Sequence, residues 1–196
     1  VYASCLAMVQ TNIKRLIAYS SIAHVGLMCA AIFSQHELGI QGAIVQMFNH
    51  GINIMGLWFI VSILEDRLNT QDLNQMGGIA KVAPTFTIAL VLISLANIAL
   101  PLTNGFVGEF MMFNGVFNAA SPYRVSLTVV AGLGVIFAAV YTLSMIRKVA
   151  FGNVNTNTEN FKDLSNNELF ILVLIMLLIL VLGFYPSLIT NLIAGN

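Results

Sequence analysis

Residues 84–119 read PTFTIALVLISLANIALPLTNGFVGEFMMFNGVFNA. Two apolar runs flank Pro101 and Gly105, and one carboxylate, Glu109, lies inside the second run. Proline removes a backbone donor and clashes with the preceding turn, so a helix breaks or kinks there. In lipid, irregular backbone is tolerated only where protein buries it or water reaches it. An acidic side chain at such depth is costly and marks a functional site by default. The stretch predicts a membrane helix broken near Pro101 and Gly105, with Glu109 beside the break as a proton-exchanging group.

The rest of the chain supports a membrane reading. Of its 196 residues 58% are hydrophobic and 8% charged, against about 25% charged in soluble domains. The fold class expected is all-α, a polytopic transmembrane helical bundle. Eight basic and eight acidic side chains cancel, so net charge points to no nucleic-acid partner. The sequence shows no nucleotide loop, nucleophile triad, metal cluster, or haem or iron–sulfur ligand set. Neither a cofactor nor a redox centre is expected on this chain. Cys5 and Cys29 lie in apolar runs without metal spacing and read as buried, inert thiols. The chain begins at Val1 rather than Met and shows no signal peptide. It reads as one transmembrane domain, residues 1–196, from the C-terminal part of a longer protein.

A spanning helix needs about 20 apolar residues. The runs at about 13–34, 38–65, 124–148 and 168–190 meet that length, and residues 1–10 read as the tail of a further span. Residues 66–82 and 152–167 are polar and read as loops. The 84–119 stretch is too long for one straight crossing and short for two, at about 1.5 Å per residue. Charge placement decides. With one crossing, Lys14, Arg15, Arg67, Lys81, Arg147, Lys148 and Lys162 share one face and only Arg124 takes the other. With two crossings the split is five to three. Cytoplasmic loops carry the excess of Lys and Arg, which favours one discontinuous helix and a lysine-rich cytoplasmic face.

The titratable side chains singled out within the apolar spans are His24, His50 and Glu109. Each lies roughly 15 Å from a membrane face by helical rise, close to mid-depth. Imidazole can relay a proton through its two nitrogens. Ser20 shares a helix face with His24, and Gln46, Asn49, His50 and Asn53 form one polar stripe. That stripe reads either as a water-lined path or as interhelical glue. Lys14 and Arg15 sit at a boundary, where cations set topology or bind lipid headgroups. Gly26, Gly51 and Gly56 read as sites of close helix contact.

The segments TNIKRLIAYSSIAHVG, AIVQMFNHG, ISLANIALPLTNGFVGEFM and LGFYP together resemble the antiporter-like membrane subunits of respiratory complex I. The resemblance covers almost the whole chain. It implies spans 10 to 14 of a 14-helix protein, with helix 12 discontinuous. It implies that Glu109 is the exit-side proton group and that His24 and His50 line the central hydrophilic axis. Lys14 matches the lysine of a D-x-K-R stretch, with Asn12 in place of the aspartate. On this resemblance Lys14 joins Glu109, His24 and His50 in a proton pathway, with the break at Pro101 and Gly105. Glu109 and Ile54 stand where a related branch carries lysines, which favours the M-type branch. The function implied is proton translocation coupled to quinone reduction in other subunits. The partners implied are the other membrane subunits of a hetero-oligomer, and lipid. The site implied is the bacterial inner membrane. A multisubunit cation/proton antiporter, a hydrogenase-type membrane arm and a purely structural subunit remain as alternatives.

Overall fold

The computed structural model describes residues 1–194, and every regular element among them is helical. Helix α1 is Tyr2–Met8, α2 Ile13–Phe33 and α3 Glu37–Leu68. A 3₁₀ turn, Leu73–Gln75, and the short α4, Ile79–Val82, lead into α5, Pro84–Asn97. After a non-helical segment come α6, Asn104–Phe117, α7, Arg124–Ala150, α8, Asn166–Phe184, and α9, Ser187–Ala194. Among the described residues α2, α3, α7 and α8 are long and apolar enough to cross a membrane. The last span, expected to reach about residue 190, is α8, which Phe184 closes, and a turn at Tyr185 and Pro186 separates it from α9.

Local chemistry sets these boundaries. The Asn12 side chain caps α2 by accepting the Arg15 N–H. Pro84 stands at the start of α5, where its missing N–H costs nothing. Ser165 and Glu168 form a reciprocal capping box on α8. Helix α3 continues past the expected stop at Leu64 through Glu65, Asp66 and Arg67, and ends where Asn69 turns left-handed at φ 51°. Those three polar residues sit beyond the apolar run but inside the helix. Their charges read as a boundary in sequence, yet a helix can carry them out into the headgroup region.

Helices α5 and α6 are one interrupted crossing. Each has 14 residues, about 21 Å of helix, against about 30 Å of hydrocarbon. Both run antiparallel along the single long α3. Gly39 meets Gly115, Gly42 meets Met112, Gly108 meets Gln46, Asn49 meets Asn104, Asn53 meets Ala96 and Gly56 meets Ile93. Across the break the register jumps: the α3 interval from Asn49 to Asn53 faces the longer interval from Asn104 back to Ala96. The extra chain forms the loop that contains Pro101.

One end of the bundle collects the cations. Lys14 pairs with Glu65, Arg67 with Glu168, and Lys148 hydrogen-bonds Asn74. Asn12 and Asp72 form a backbone bridge, and Asp163 accepts the Thr85 and Phe86 N–H groups at the start of α5. Arg124 opens α7 at the opposite end. This is the seven-to-one arrangement of a single crossing. A core of Ile60, Leu64, Phe86, Leu90, Ile93, Leu172 and Ile175 joins α3, α5 and α8.

Three expectations fail. Gly26 and Gly51 have open space where a Cβ would stand, so neither is a contact site, whereas Gly56 packs on Ile93 and Ile175. Cys5 and Cys29 are exposed on helix surfaces rather than buried. An apolar run marks a helix as membrane-embedded without saying which of its faces meets another helix. Gly105 is not part of the break but lies in the first turn of α6. A Cβ there would strike the Ala96 carbonyl, so glycine lets the two half-helices overlap. The left-handed turns of the break fall on Ala99, φ 57°, and Leu102, φ 75°.

Candidate functional site

The interruption sits beside α3 at the polar stripe. On α3 two amides bond the residues that flank the break, Ala96 in the last turn of α5 and Asn104 in the first turn of α6. Asn49 donates its side-chain N–H to the Asn104 carbonyl at 2.8 Å, and Asn53 donates to the Ala96 carbonyl at 3.2 Å. Asn104 returns a bond to the Asn49 carbonyl at 3.3 Å. The Thr103 hydroxyl closes the loop on the Leu100 carbonyl at 2.6 Å. All four asparagines nearby, Asn49, Asn53, Asn97 and Asn104, are buried, and each keeps a side-chain oxygen with no protein partner.

Glu109 follows one turn into α6. Gly108 precedes it, and a Cβ on Gly108 would collide with Gln46 of α3. The absence of that Cβ brings α6 against α3 and carries the Glu109 carboxyl inward, where the residue is 4% exposed. Its Oε1 stands 3.3 Å from His24 Nδ1 on α2. That approach is within ion-pair range but is not aligned as a hydrogen bond, so Oε1 keeps its capacity to accept one. The His24 ring lies 5.0 Å from the His50 ring on α3, centroid to centroid, tilted by 40°. Nε2 of each histidine is buried without a protein partner. The structure thus brings together the three titratable residues singled out in sequence, from three helices.

Lys14 is not part of this cluster. It forms its ion pair with Glu65, both side chains about a third exposed, at the lysine-rich end. It precedes His24 by ten residues on α2, about 15 Å of helix. Asn12, which lacks the acid to pair with it, serves as helix cap and donates to Gln71.

Glu109 and His24 open onto a cavity of about 390 Å³ between α1, α2 and α7, otherwise lined mainly by apolar side chains such as Leu27, Leu127 and Val130. Tyr2, Ser4 and Tyr141 add hydroxyl groups to its wall. Sequence reading missed Tyr141, Asn97 and Asn104. No local pattern sets them apart from other polar residues in the spans, and only the fold shows where each points.

The pair has a chemical consequence. A neutral carboxyl beside a neutral imidazole and a carboxylate beside an imidazolium carry the same net charge. Moving a proton between Glu109 and His24 leaves no uncompensated charge in the interior, the state that is costly there. A second imidazole beside the first extends the exchange by one step. Among the described residues no group of three His, Cys, Asp or Glu side chains is placed to hold a metal ion.

Comparison with known proteins places this geometry. A family model described as NADH:quinone oxidoreductase/Mrp antiporter, TM, matches residues 1–134, which include His24, His50 and Glu109. The chain belongs to this family. NADH-quinone oxidoreductase subunit M of Rickettsia prowazekii is 40% identical over 192 residues, covering 97% of this chain and 38% of that protein. In respiratory complex I from Thermus thermophilus with bound NADH, one chain superposes with a TM-score of 0.88 at 28% identity. That match covers 96% of this chain and 39% of the other. A chain of an archaeal respiratory membrane complex, the membrane-bound sulfane sulfur reductase, gives a TM-score of 0.83 at 25% identity, covering 99% of this chain and 38% of the other. The chain spans about two-fifths of the length of these relatives. The family expected from the four motifs is the family found, and its members include antiporter-like membrane subunits of complex I.

Proposed function

We propose that this chain is part of a proton-translocating membrane subunit of an NADH:quinone oxidoreductase of the complex I type. The observation that carries the reading is the Glu109 carboxyl, buried beside an interrupted helix and 3.3 Å from a histidine whose ring lies 5.0 Å from that of a second. A proton passes from His50 through His24 to Glu109, and the carboxyl releases it toward the face opposite the lysine-rich end. Quinone reduction belongs to other subunits, whose change of charge alters the proton affinity of this cluster. The chain itself acts as translocase, without a redox centre or cofactor of its own. The lysine-rich end faces the cytoplasm, and the chain is a multi-pass component of a bacterial inner membrane. Its partners are lipid and the other membrane subunits.

Glu109→Gln keeps the size and hydrogen-bonding shape of the side chain and removes the exchangeable proton. Introduced into the assembled complex in membrane vesicles, it reduces NADH-driven acidification, followed with a pH dye, to near background while assembly persists. Full acidification in that variant overturns the reading.

A second reading shares the proton chemistry and changes the electron donor. The likeness to the sulfane sulfur reductase arm favours it, and the family description also includes Mrp antiporters. Acidification driven by NADH, and lost on deleting this chain, separates the first reading from both.

A further inference from the structure

Tyr141 on α7 is 1% exposed, and its hydroxyl lies 2.8 Å from Ser20 Oγ on α2, where either oxygen can donate. Ser20, 2% exposed, also accepts an N–H from Asn97 at 3.3 Å. Asn97 is the last residue of α5, at the edge of the break, and it adjoins Ala96, whose carbonyl takes the Asn53 bond. At the other end of this chain of bonds, Tyr141 lines the same cavity as Glu109 and His24. The titratable groups around that cavity wall are Glu109 from α6, His24 from α2 with His50 of α3 behind it, Tyr141 from α7 and Tyr2 from α1. A hydrogen-bonded path Asn97–Ser20–Tyr141 therefore runs from the interrupted helix to the wall of the cavity that Glu109 also lines.

We infer that Tyr141 is a positioning residue of the proton site, which sets the hydrogen-bonding partner offered to Glu109 according to the state of Ser20 and the break. The inference rests on the proton reading above. A hydroxyl pair has two orientations. When Ser20 donates to the Tyr141 oxygen, the Tyr141 proton turns into the cavity and favours the carboxylate of Glu109. When Tyr141 donates to Ser20, a Tyr141 lone pair faces the cavity and accepts from protonated Glu109, while the Ser20 proton turns to a carbonyl of its own helix. The cavity has room for a bridging water, which occupies about 30 Å³ in the liquid. Neither hydroxyl loses a proton in the exchange. The only proton gained or released is that of Glu109, and Tyr141 and Ser20 only change which way they point. Asn97 donates to Ser20 in both orientations, so a shift of the α5 end is felt at the Tyr141 hydroxyl.

Tyr141→Phe keeps the buried ring and removes only the hydroxyl, and Ser20→Ala removes its partner. Both are placed in the full-length chain of the assembled complex, and infrared difference spectra are recorded across the pH titration. The Glu109 carboxyl C=O band is identified by its loss in Glu109→Gln. In Tyr141→Phe that band shifts, in Ser20→Ala it shifts less, and protons pumped per NADH fall several-fold in both. An unmoved band in Tyr141→Phe overturns the inference, as does a Glu109→Gln spectrum that loses no carboxyl band. If Glu109→Gln pumps normally, the proposed function falls by itself, and the Tyr141→Phe band still decides whether this hydroxyl acts on Glu109.

Discussion

Asn49 and Asn104 each donate a side-chain N–H to the other's backbone carbonyl, at 2.8 and 3.3 Å. The exchange ties the start of α6 to the middle of α3 at the point where the helical ladder is interrupted. The Asn104 carbonyl keeps its place in the α6 ladder, and a net intramolecular hydrogen bond of this kind contributes about 0.5–1.5 kcal/mol. Asn49→Leu removes the donor while filling the space, and it lowers stability by that amount. Thermal unfolding of the detergent-solubilised complex reads the loss, and an unchanged melting temperature contradicts it.

Gly108 and Gly51 make opposite predictions from the same substitution. A Cβ on Gly108 meets Gln46 backbone and side chain, whereas one on Gly51 meets open space. Gly108→Ala overpacks the α3–α6 contact, at a typical cost of about 1–3 kcal/mol. It also moves Glu109 from His24, so pumping falls further than assembly does. Gly51→Ala gains roughly 0.5–1 kcal/mol from the reduced freedom of the unfolded helix and leaves pumping intact. Measuring both variants side by side checks the packing argument against a general sensitivity to added methyl groups.

Asp163 lies in the loop before α8 and caps α5 from outside it, accepting N–H groups of Thr85 and Phe86. Burial pushes its carboxyl up, but the N–H bonds from Leu164, Phe86 and Thr85 outweigh that and hold its pKa below the ordinary value of 3.8. A carboxylate with a lowered folded pKa contributes stability that is complete above the unfolded value and lost as pH falls through the folded one. The wild-type contribution therefore holds at neutral pH and begins to fall only below about pH 4, the unfolded value. Asp163→Ala costs about 1 kcal/mol at pH 7, as lost caps do, and less at pH 3. Melting temperatures of both proteins converge as the pH is lowered; parallel curves speak against the cap.

Arg67 holds the same loop by three contacts. It donates to the Lys162 carbonyl at 2.6 Å, pairs with Glu168, and lies 5.2 Å over the Phe161 ring. A lysine provides one compact charge and no planar fork. Arg67→Lys therefore loosens the 151–165 loop almost as much as Arg67→Ala does, read as faster cleavage there by a protease added on the lysine-rich side. Protection equal to wild type in Arg67→Lys contradicts the forked contact.

The single crossing was legible because it rests on quantities that a sequence carries directly: apolar length, a proline, and where the cations fall. The meeting of His24, His50 and Glu109 followed from equal depth, since residues at one level in a bundle of a few helices are seldom far apart. Depth carries no angular information. Gly26 and Gly51 were expected at contacts and stand free, and both cysteines face outward, because α1, α2 and α3 are apolar around most of their circumference. Lys14 was drawn into the proton path by its motif alone. Its partner Glu65 belongs to a helix end that the apolar pattern stopped short of. The break is made by Ala99 and Leu102 in left-handed turns, not by the glycine beside it. Tertiary bonds to Asn49 and Asn53 hold a backbone that local preference would not choose.

The overlap of α5 and α6 along α3 also bears on how the chain enters lipid during synthesis. Neither half is long enough to be released into the bilayer alone, and the residues on either side of the gap are bonded by two amides on an earlier helix. Emerging from the ribosome, α3 is already in place as a template when the interrupted segment arrives. The N-to-C order of synthesis thus delivers the receptor before its guest, and exchanging the two in a permuted chain would strand the polar gap in hydrocarbon.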